Sequence, residues 1–268
     1  MKGSLYLGKV LGIKVLVHYS FILIFLYVGY FSYDQFHSIN EALYDCLITL
    51  LAFVCVLMHE YGHALAARKV GIQTRQIVIL PIGGMAQLDN MPEKPKDELF
   101  VTICGPLVNL GLVILLLPVV WLNHSLATLG DAPSMDAVAT IVRNNIPLTM
   151  LFINAGLLIF NLVPAFPMDG GRIFRALLAT RFNYVKATLI AARTGQSIAI
   201  GVVAYFIYLD ITTKFDIFSA LKMIILCVFI VFLAGAEYRM VKMRYRLRAF
   251  EQLGGDREQL AVTVNREP

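Results

Sequence analysis

Long apolar segments alternate with short polar segments along most of this chain. Six of the apolar segments are long enough for an α-helix to cross the hydrocarbon core of a bilayer, which takes about 20 residues. They run approximately over Val15–Phe31, Leu43–Ala67, Phe100–Leu122, Ile146–Phe166, Ala187–Leu209 and Phe218–Gly235. The pattern therefore predicts an all-α polytopic membrane protein with six transmembrane helices.

The segment between the second and third predicted helices has a different pattern. Residues Ile77–Leu88 are apolar but too short to span, and they combine β-branched residues with Pro81 and the pair Gly83-Gly84. This composition predicts a strand–turn–strand element. The element either dips into the bilayer, where protein or water must cover its backbone, or lies as a loop at the membrane surface. The fold prediction includes it as a short membrane re-entrant β element.

The composition is typical of a membrane protein. Hydrophobic residues make up 58% of the 268 residues and charged residues 15%, and the mean hydropathy is +0.71. Soluble domains are typically about 45–50% apolar and about 25% charged, so a soluble domain is excluded. The four cysteines show no C-x-x-C spacing, and we interpret them as packing residues rather than as a disulfide framework.

The basic residues predict the orientation of the chain in the membrane. They concentrate in the N-terminal segment, in the segments that follow the second and fourth predicted helices, and after the sixth. The opposite segments carry mainly acidic residues, with Arg143, Lys214 and Lys222 as exceptions. The positive-inside rule then puts both termini in the cytoplasm, with the protein in a plasma (inner) membrane. Because the net charge of +5 reflects topology, we expect no nucleic-acid partner.

The sequence predicts one compact domain and a short extension. Residues 1–236 form the predicted six-span core. Residues 237–268 form a basic juxtamembrane segment and a short cytoplasmic tail. Basic residues at that place suit the anionic headgroups of the lipid bilayer.

The second predicted helix contains an H-E-x-x-H motif, formed by His59, Glu60 and His63. At 3.6 residues per turn the two histidines lie one above the other on one face. Two neutral imidazoles at this spacing can bind one Zn²⁺, with Glu60 as general base for a water molecule. The alternative is a helix whose histidines are satisfied by packing. The cost of ionisable residues inside a membrane favours the metal site.

The fourth predicted helix ends in a second polar constellation. Pro164 and Pro167 are expected to break the helix there, and Gly170-Gly171 allow the backbone to turn or approach closely. Asp169 lies between them. Its carboxylate is either a third zinc ligand, which leaves a fourth position for water, or a turn residue at a helix end.

The third predicted helix opens with Gly105-Pro106-Leu107-Val108-Asn109. Gly105 permits close approach of a neighbouring helix. A buried amide such as that of Asn109 needs hydrogen-bond partners, and it is more typical of a contact between helices than of catalysis.

Together these residues resemble the site-2 protease family of intramembrane zinc metalloproteases. The resemblance covers most of the chain, and it rests on His59-Glu60-Tyr61-Gly62-His63, Gly83-Gly84, Gly105-Pro106-x-x-Asn109 and Asn161-x-x-Pro164-x-x-Pro167-x-Asp169-Gly170. It implies one Zn²⁺ per chain, with Glu60 as general base and with zinc ligands at His59, His63 and Asp169. It also implies substrate-binding or oxyanion residues at Asn161, Gly83, Gly84 and Asn109.

The resemblance implies regulated intramembrane proteolysis. The expected reaction is hydrolysis of a peptide bond within or near the transmembrane segment of a membrane-anchored protein substrate, such as a membrane-anchored regulator. Residues Ile77–Leu88 are expected to pair with the unwound substrate. No segment has the size of the PDZ or CBS domains that some members carry, so the chain resembles a minimal core, similar to the sporulation-type branch.

Two other function classes remain open from the sequence. One is a membrane metal-ion carrier or transporter that uses the His/Asp cluster as an ion site, because broken helices with carboxylates occur there too. No inverted repeat is visible, and Glu60 would be an unusual addition to a closed binding site. The other is a catalytically silent membrane scaffold, which the intact motif disfavours.

Overall fold

The structure, a computed structural model, describes residues 3–89, 92, 94–130, 132–213 and 217–252. These residues are mostly helical, with one small sheet. The chain divides into two compact units. The first comprises Met1–Pro92 and Phe100–Asn161, and the second comprises Glu93–Leu99 and Leu162–Pro268.

The sheet of the first unit has four strands in the order β1-β2-β3-β4. They are β1 (Ser4–Val10), β2 (Ile13–His18), β3 (Thr74–Leu80) and β4 (Gly83–Leu88). The outer pairs β1–β2 and β3–β4 are antiparallel hairpins, whereas β2 and β3 run parallel. Leu11 and Gly12 both have positive φ angles, as the tight turn of a two-residue hairpin requires.

Six helices complete the first unit. After a 3-10 turn (Tyr19–Phe21) they are α1 (Ile22–Phe36), α2 (Ile39–Lys69), α3 (Pro95–Leu122), α4 (Ser125–Gly130), α5 (Met135–Arg143) and α6 (Ile146–Leu162), and the ends of α3 and α6 reach into the second unit. Ser38 caps α2 by accepting a hydrogen bond from the Glu41 amide, which satisfies one of the free N–H groups of the first turn.

Helix α2 packs against the sheet through a small apolar core. Ala64 of the helix is buried with Ile13 of β2 and Ile77 of β3. The residue types explain the close contact, because alanine on the helix lets the β-branched side chains of the sheet approach its backbone. This core fixes the part of α2 that carries the H-E-x-x-H motif relative to β3 and β4.

The second unit is helical. It contains α7 (Asp169–Leu178), α8 (Tyr184–Thr213) and α9 (Ile217–Gln252). Its core joins Phe166 to alanines of α8 and α9. An added Cβ at Gly195 of α8 would lie 2.8 Å from Ala165, so a glycine is needed where α8 meets the segment before α7.

A buried ion-pair network also holds the second unit together. The Arg175 guanidinium of α7, only 1% exposed, donates to Glu98 at 2.8 Å and to Glu237 at 2.7 Å. Burial by itself lowers the pKa of Arg175, but the carboxylates of Glu98 and Glu237 raise it above its ordinary value. Arg175 is therefore charged, and it ties α7 to α9 and to the first turn of α3.

Among the described residues, four helices are long and apolar enough to cross a membrane: Ile39–Lys69, Pro95–Leu122, Tyr184–Leu209 and Ile224–Gln252. Helices α5 and α6 are bent by 107° relative to each other. If they form one broken span, they are a fifth candidate membrane span. The prediction of a mostly helical, multi-pass membrane protein is confirmed.

The prediction of an all-α fold is wrong at the N-terminus. The first predicted span, Val15–Phe31, begins inside β2, and helix α1 has only 15 residues. The predicted strand–turn–strand between the second and third spans corresponds to β3 and β4. Helix α9 continues through residue 236 to Gln252, and residues 253–268 of the predicted tail lie outside the described residues.

Candidate metal centre

Helix α2 brings the Nε2 atoms of the two histidines of the motif close together. Their Nε2 atoms are 3.0 Å apart, and their rings are perpendicular with centroids 4.7 Å apart. The spacing of four residues places them one turn apart on the same side of the helix. Both imidazoles thus direct the same ring nitrogen toward one point.

The other ring nitrogen of each histidine is held by an oxygen acceptor. His63 Nδ1 donates to the backbone carbonyl of Val101 at 3.0 Å, and His59 Nδ1 donates to Oδ1 of Asn109 at 2.6 Å. In a neutral imidazole a hydrogen on Nδ1 leaves a lone pair on Nε2. Two such lone pairs facing each other repel, and a bound cation would turn this repulsion into attraction.

Gly105 of α3 keeps the space beside the two imidazoles open. An added Cβ there would lie 2.2 Å from His63 Nε2 and 2.8 Å from His59 Nε2. Real Cβ atoms essentially never lie this close to another atom, so an alanine at this position would force the imidazoles or the backbone of α3 to shift. The converging Nε2 atoms and the open space beside them fit a metal ion.

Glu60 is anchored to strand β4. Its Oε2 accepts a hydrogen bond from the Ala86 amide at 2.8 Å. Gly84 makes this approach possible, because an added Cβ would lie 2.5 Å from Glu60 Cγ. Gly83, the first residue of β4, has φ +135°, a backbone conformation that side-chain-bearing residues rarely adopt. In the structure Gly84 therefore makes room for Glu60, and Gly83 permits the turn into β4.

In the second unit, Asp169 is buried at the first position of α7. The predicted helix break is present: α6 ends at Leu162, and the residues before α7 are irregular. Gly170 is needed here, since an added Cβ would lie 2.2 Å from the Val163 carbonyl oxygen. Asn161 lies, half-buried, in the last turn of α6.

The predicted ligand set combines two imidazole nitrogens with one carboxylate oxygen. His59 and His63 of the first unit direct their Nε2 atoms toward one point, and the sequence predicts that Asp169 of the second unit supplies the third ligand. Two histidines and one carboxylate are a known set for catalytic zinc, with a fourth position left for water.

Sequence reasoning missed the partners that hold these side chains. The hydrogen bond of Asn109 to His59 agrees with the expected contact between helices. The sequence pattern does not indicate the roles of the Val101 carbonyl or of the Asn154 amide, which accepts from Asn109 at 3.0 Å. Of these two partners, the sequence can indicate only Asn154, because an amide inside an apolar helix needs a hydrogen-bond partner.

The fold and these side chains define a class, namely multi-pass membrane proteins with a candidate metal centre on an H-E-x-x-H helix. Residues 47–202 match Peptidase family M50. Because this match covers more than half of the chain, the chain belongs to the M50 peptidase family, and the resemblance to the site-2 proteases is confirmed.

Several of the relatives are zinc metalloproteases by name. One from Methanocaldococcus jannaschii is 35% identical over 229 residues, which are 82% of this chain and 60% of that protein. Stage IV sporulation protein FB of Bacillus subtilis is 27% identical over 146 residues, or 54% of this chain and 45% of that protein. The solved structure of the site-2 protease from M. jannaschii has a TM-score of 0.56 and 34% identity, and the match covers 88% of this chain and 95% of that chain.

The chain spans about half to three fifths of the length of the curated relatives it matches. The match to family M50 and the names of the relatives identify zinc as the metal for which this donor set is suited.

Proposed function

We propose that this chain is an intramembrane zinc metalloprotease that hydrolyses a peptide bond within or near the transmembrane segment of a membrane-anchored protein. The observation that carries the proposal is the convergence of His59 Nε2 and His63 Nε2 at 3.0 Å, with the adjacent Glu60 anchored on strand β4. Family membership supports the same reaction class.

The metal ligands in this proposal are His59, His63 and Asp169, with one Zn²⁺ per chain. When bound, zinc supplies the Lewis acidity that makes a water molecule nucleophilic near neutral pH and polarises a carbonyl oxygen. The Nδ1 hydrogen bonds of the two histidines keep both Nε2 atoms in the form that can bind the ion.

Glu60 is the general base in this proposal. Its Oε2 is held by the Ala86 amide, so its other carboxylate oxygen takes the proton of the attacking water and passes it to the leaving amine. We assign to Asn161 the stabilisation of the developing oxyanion. Gly83 and Gly84 belong to the strand on which the substrate is expected to lie.

A transmembrane substrate must unwind before its amide groups become accessible. Strand β4 is at the edge of the sheet, and an edge strand can pair with an extended peptide and satisfy its freed backbone groups. We assign this role to the hairpin of β3 and β4, as a re-entrant element within the membrane, where the freed groups find no water.

The finer membrane arrangement is part of the proposal. It has six spans, formed by α1, α2, α3, the bent pair α5–α6, α8 and α9, with residues 237–268 as a basic juxtamembrane segment and tail. Both termini lie on the cytoplasmic side of a plasma (inner) membrane, as the distribution of basic residues favours. A membrane-anchored regulator is the expected kind of substrate.

The test compares purified wild type with Glu60→Gln, using a tagged single-span substrate in liposomes. We expect both proteins to retain zinc and Glu60→Gln to cleave at least ~10²-fold more slowly, since general-base catalysis contributes on that order. Glu41→Gln is the matched control, because Glu41 lies in the first turn of the same helix, about 28 Å away along it.

Cleavage by Glu60→Gln at the wild-type rate would refute the general-base assignment. Zinc retention in all three proteins without cleavage of any single-span substrate would instead favour the metal carrier.

A further inference from the structure

Two asparagines form a chain of hydrogen bonds that ends on a candidate metal ligand. Asn109 of α3 accepts from His59 Nδ1 at 2.6 Å and donates from Nδ2 to Oδ1 of Asn154 at 3.0 Å. Asn154 of α6 donates from Nδ2 to the Met150 carbonyl at 2.8 Å and to Cys55 Sγ at 3.3 Å. Both amides are 0% exposed, so water cannot replace these partners.

The direction of this chain is fixed at its far end. A backbone carbonyl can only accept, so the Met150 carbonyl requires the nitrogen of the Asn154 amide, and the oxygen of that amide then faces Asn109. The same reasoning turns Nδ2 of Asn109 toward Asn154 and its Oδ1 toward His59. The hydrogen of the imidazole is therefore on Nδ1, and the lone pair of the neutral ring is on Nε2.

The two histidines differ in how firmly the tautomer with hydrogen on Nδ1 is fixed. His63 donates to the carbonyl of Val101, an acceptor that cannot change its role. His59 donates to a side-chain amide, which can rotate by 180° and then present N–H instead of oxygen. A rotated Asn109 would favour the tautomer of His59 with hydrogen on Nε2, and that nitrogen then has no lone pair for a metal. Asn154 opposes this rotation, because it would bring two amide oxygens together.

We propose that Asn154 is a positioning residue of the metal centre, which acts through Asn109 to hold His59 in its metal-binding tautomer. This proposal rests on the proposed function only for the identity of the metal. The test of this role measures zinc affinity, so its result does not depend on whether the protein cleaves peptides.

The test is a double-mutant cycle measured by zinc competition with a chelating dye in detergent. Asn154→Leu removes the group that orients Asn109, and we expect zinc affinity to fall about 10-fold or more, as for the loss of other residues that orient metal ligands. In the Asn109→Asp background the residue facing His59 is a carboxylate, which accepts in either orientation. There we expect Asn154→Leu to cause no further loss.

Asn145→Leu serves as the matched control, because it removes a side-chain hydrogen bond to Ser125 without any link to His59. Thermal unfolding verifies that each variant is folded.

Unchanged zinc affinity in folded Asn154→Leu would overturn the proposal, and so would an equal loss in both backgrounds, which indicates packing alone. A wild type that binds no zinc would overturn the ligand assignment as well. Zinc binding without cleavage would overturn only the proposed proteolysis.

Discussion

Gly105→Ala is the substitution that tests the geometry of the metal centre most sharply. The new Cβ would lie 2.2 Å from His63 Nε2 and 2.8 Å from His59 Nε2. Carbon–nitrogen contacts need about 3.5 Å, so the ring of His63 or the backbone of α3 must move by roughly 1 Å. Metal–nitrogen distances tolerate only about ±0.2 Å.

We therefore expect folded Gly105→Ala to lose zinc affinity by at least ~100-fold, the upper end of what loss of an outer partner causes. The measurement is metal content of detergent-purified protein by mass spectrometry, together with competition against a zinc buffer. Thermal unfolding of the metal-free proteins separates this effect from misfolding, because alanine in a helix is by itself favoured over glycine.

Gly111→Ala is the matched control on the same helix, because an added Cβ there meets no atom within 4 Å. It should retain zinc as the wild type does. Retention of zinc by Gly105→Ala with unchanged affinity would refute the reasoning, since the ion would then not need the space beside His59 and His63.

Two further substitutions separate catalysis from stability. Gly84→Ala should retain zinc but cleave ~10-fold or more slowly, because the added Cβ displaces Glu60 and a misplaced catalytic group lowers the rate steeply. Gly156→Ala is the control and should cleave at the wild-type rate, because an added Cβ there meets open space. Equal cleavage rates in the two variants would contradict the prediction. Arg175→Leu should destabilise the protein by about 3–5 kcal/mol, because it leaves the Glu98 carboxylate buried without its partner. Unfolding midpoints in detergent measure this destabilisation. Adding Glu98→Leu to Arg175→Leu should restore much of the lost stability. An unchanged midpoint in Arg175→Leu alone would contradict the prediction.

The helices could be predicted because membrane-spanning helices are specified by local composition. The apolar length of residues 43–67 or 100–122 is sufficient to indicate α2 and α3. The β1–β2 hairpin could not be predicted in this way, because only residues 18–21 separate Val15–Val17 from the apolar residues of α1. Their strand conformation depends on pairing with Ile77–Ile79, which are far away in the sequence.

The candidate site likewise combines residues that the local sequence indicates with partners that only the packing of distant elements brings together. His59, Glu60 and His63 are candidates because their spacing and residue types suit metal chemistry, whereas Asp169 is a candidate ligand through the resemblance to the site-2 proteases. Their partners are backbone or amide groups from other elements, such as the Ala86 amide for Glu60. Nothing in the local pattern specifies such partners, because they are set by which residues come to face each other when helix and sheet pack.

Zinc K-edge X-ray absorption of the purified wild type tests whether zinc is bound by His59, His63 and Asp169, as we propose. We expect about one zinc per chain, with two imidazole nitrogens at about 2.0–2.1 Å, a carboxylate oxygen and no sulfur. The imidazole signal should halve in His63→Ala, and Asp169→Asn should weaken zinc retention. A sulfur ligand, or a spectrum that is identical in wild type and His63→Ala, would rule out this set of ligands.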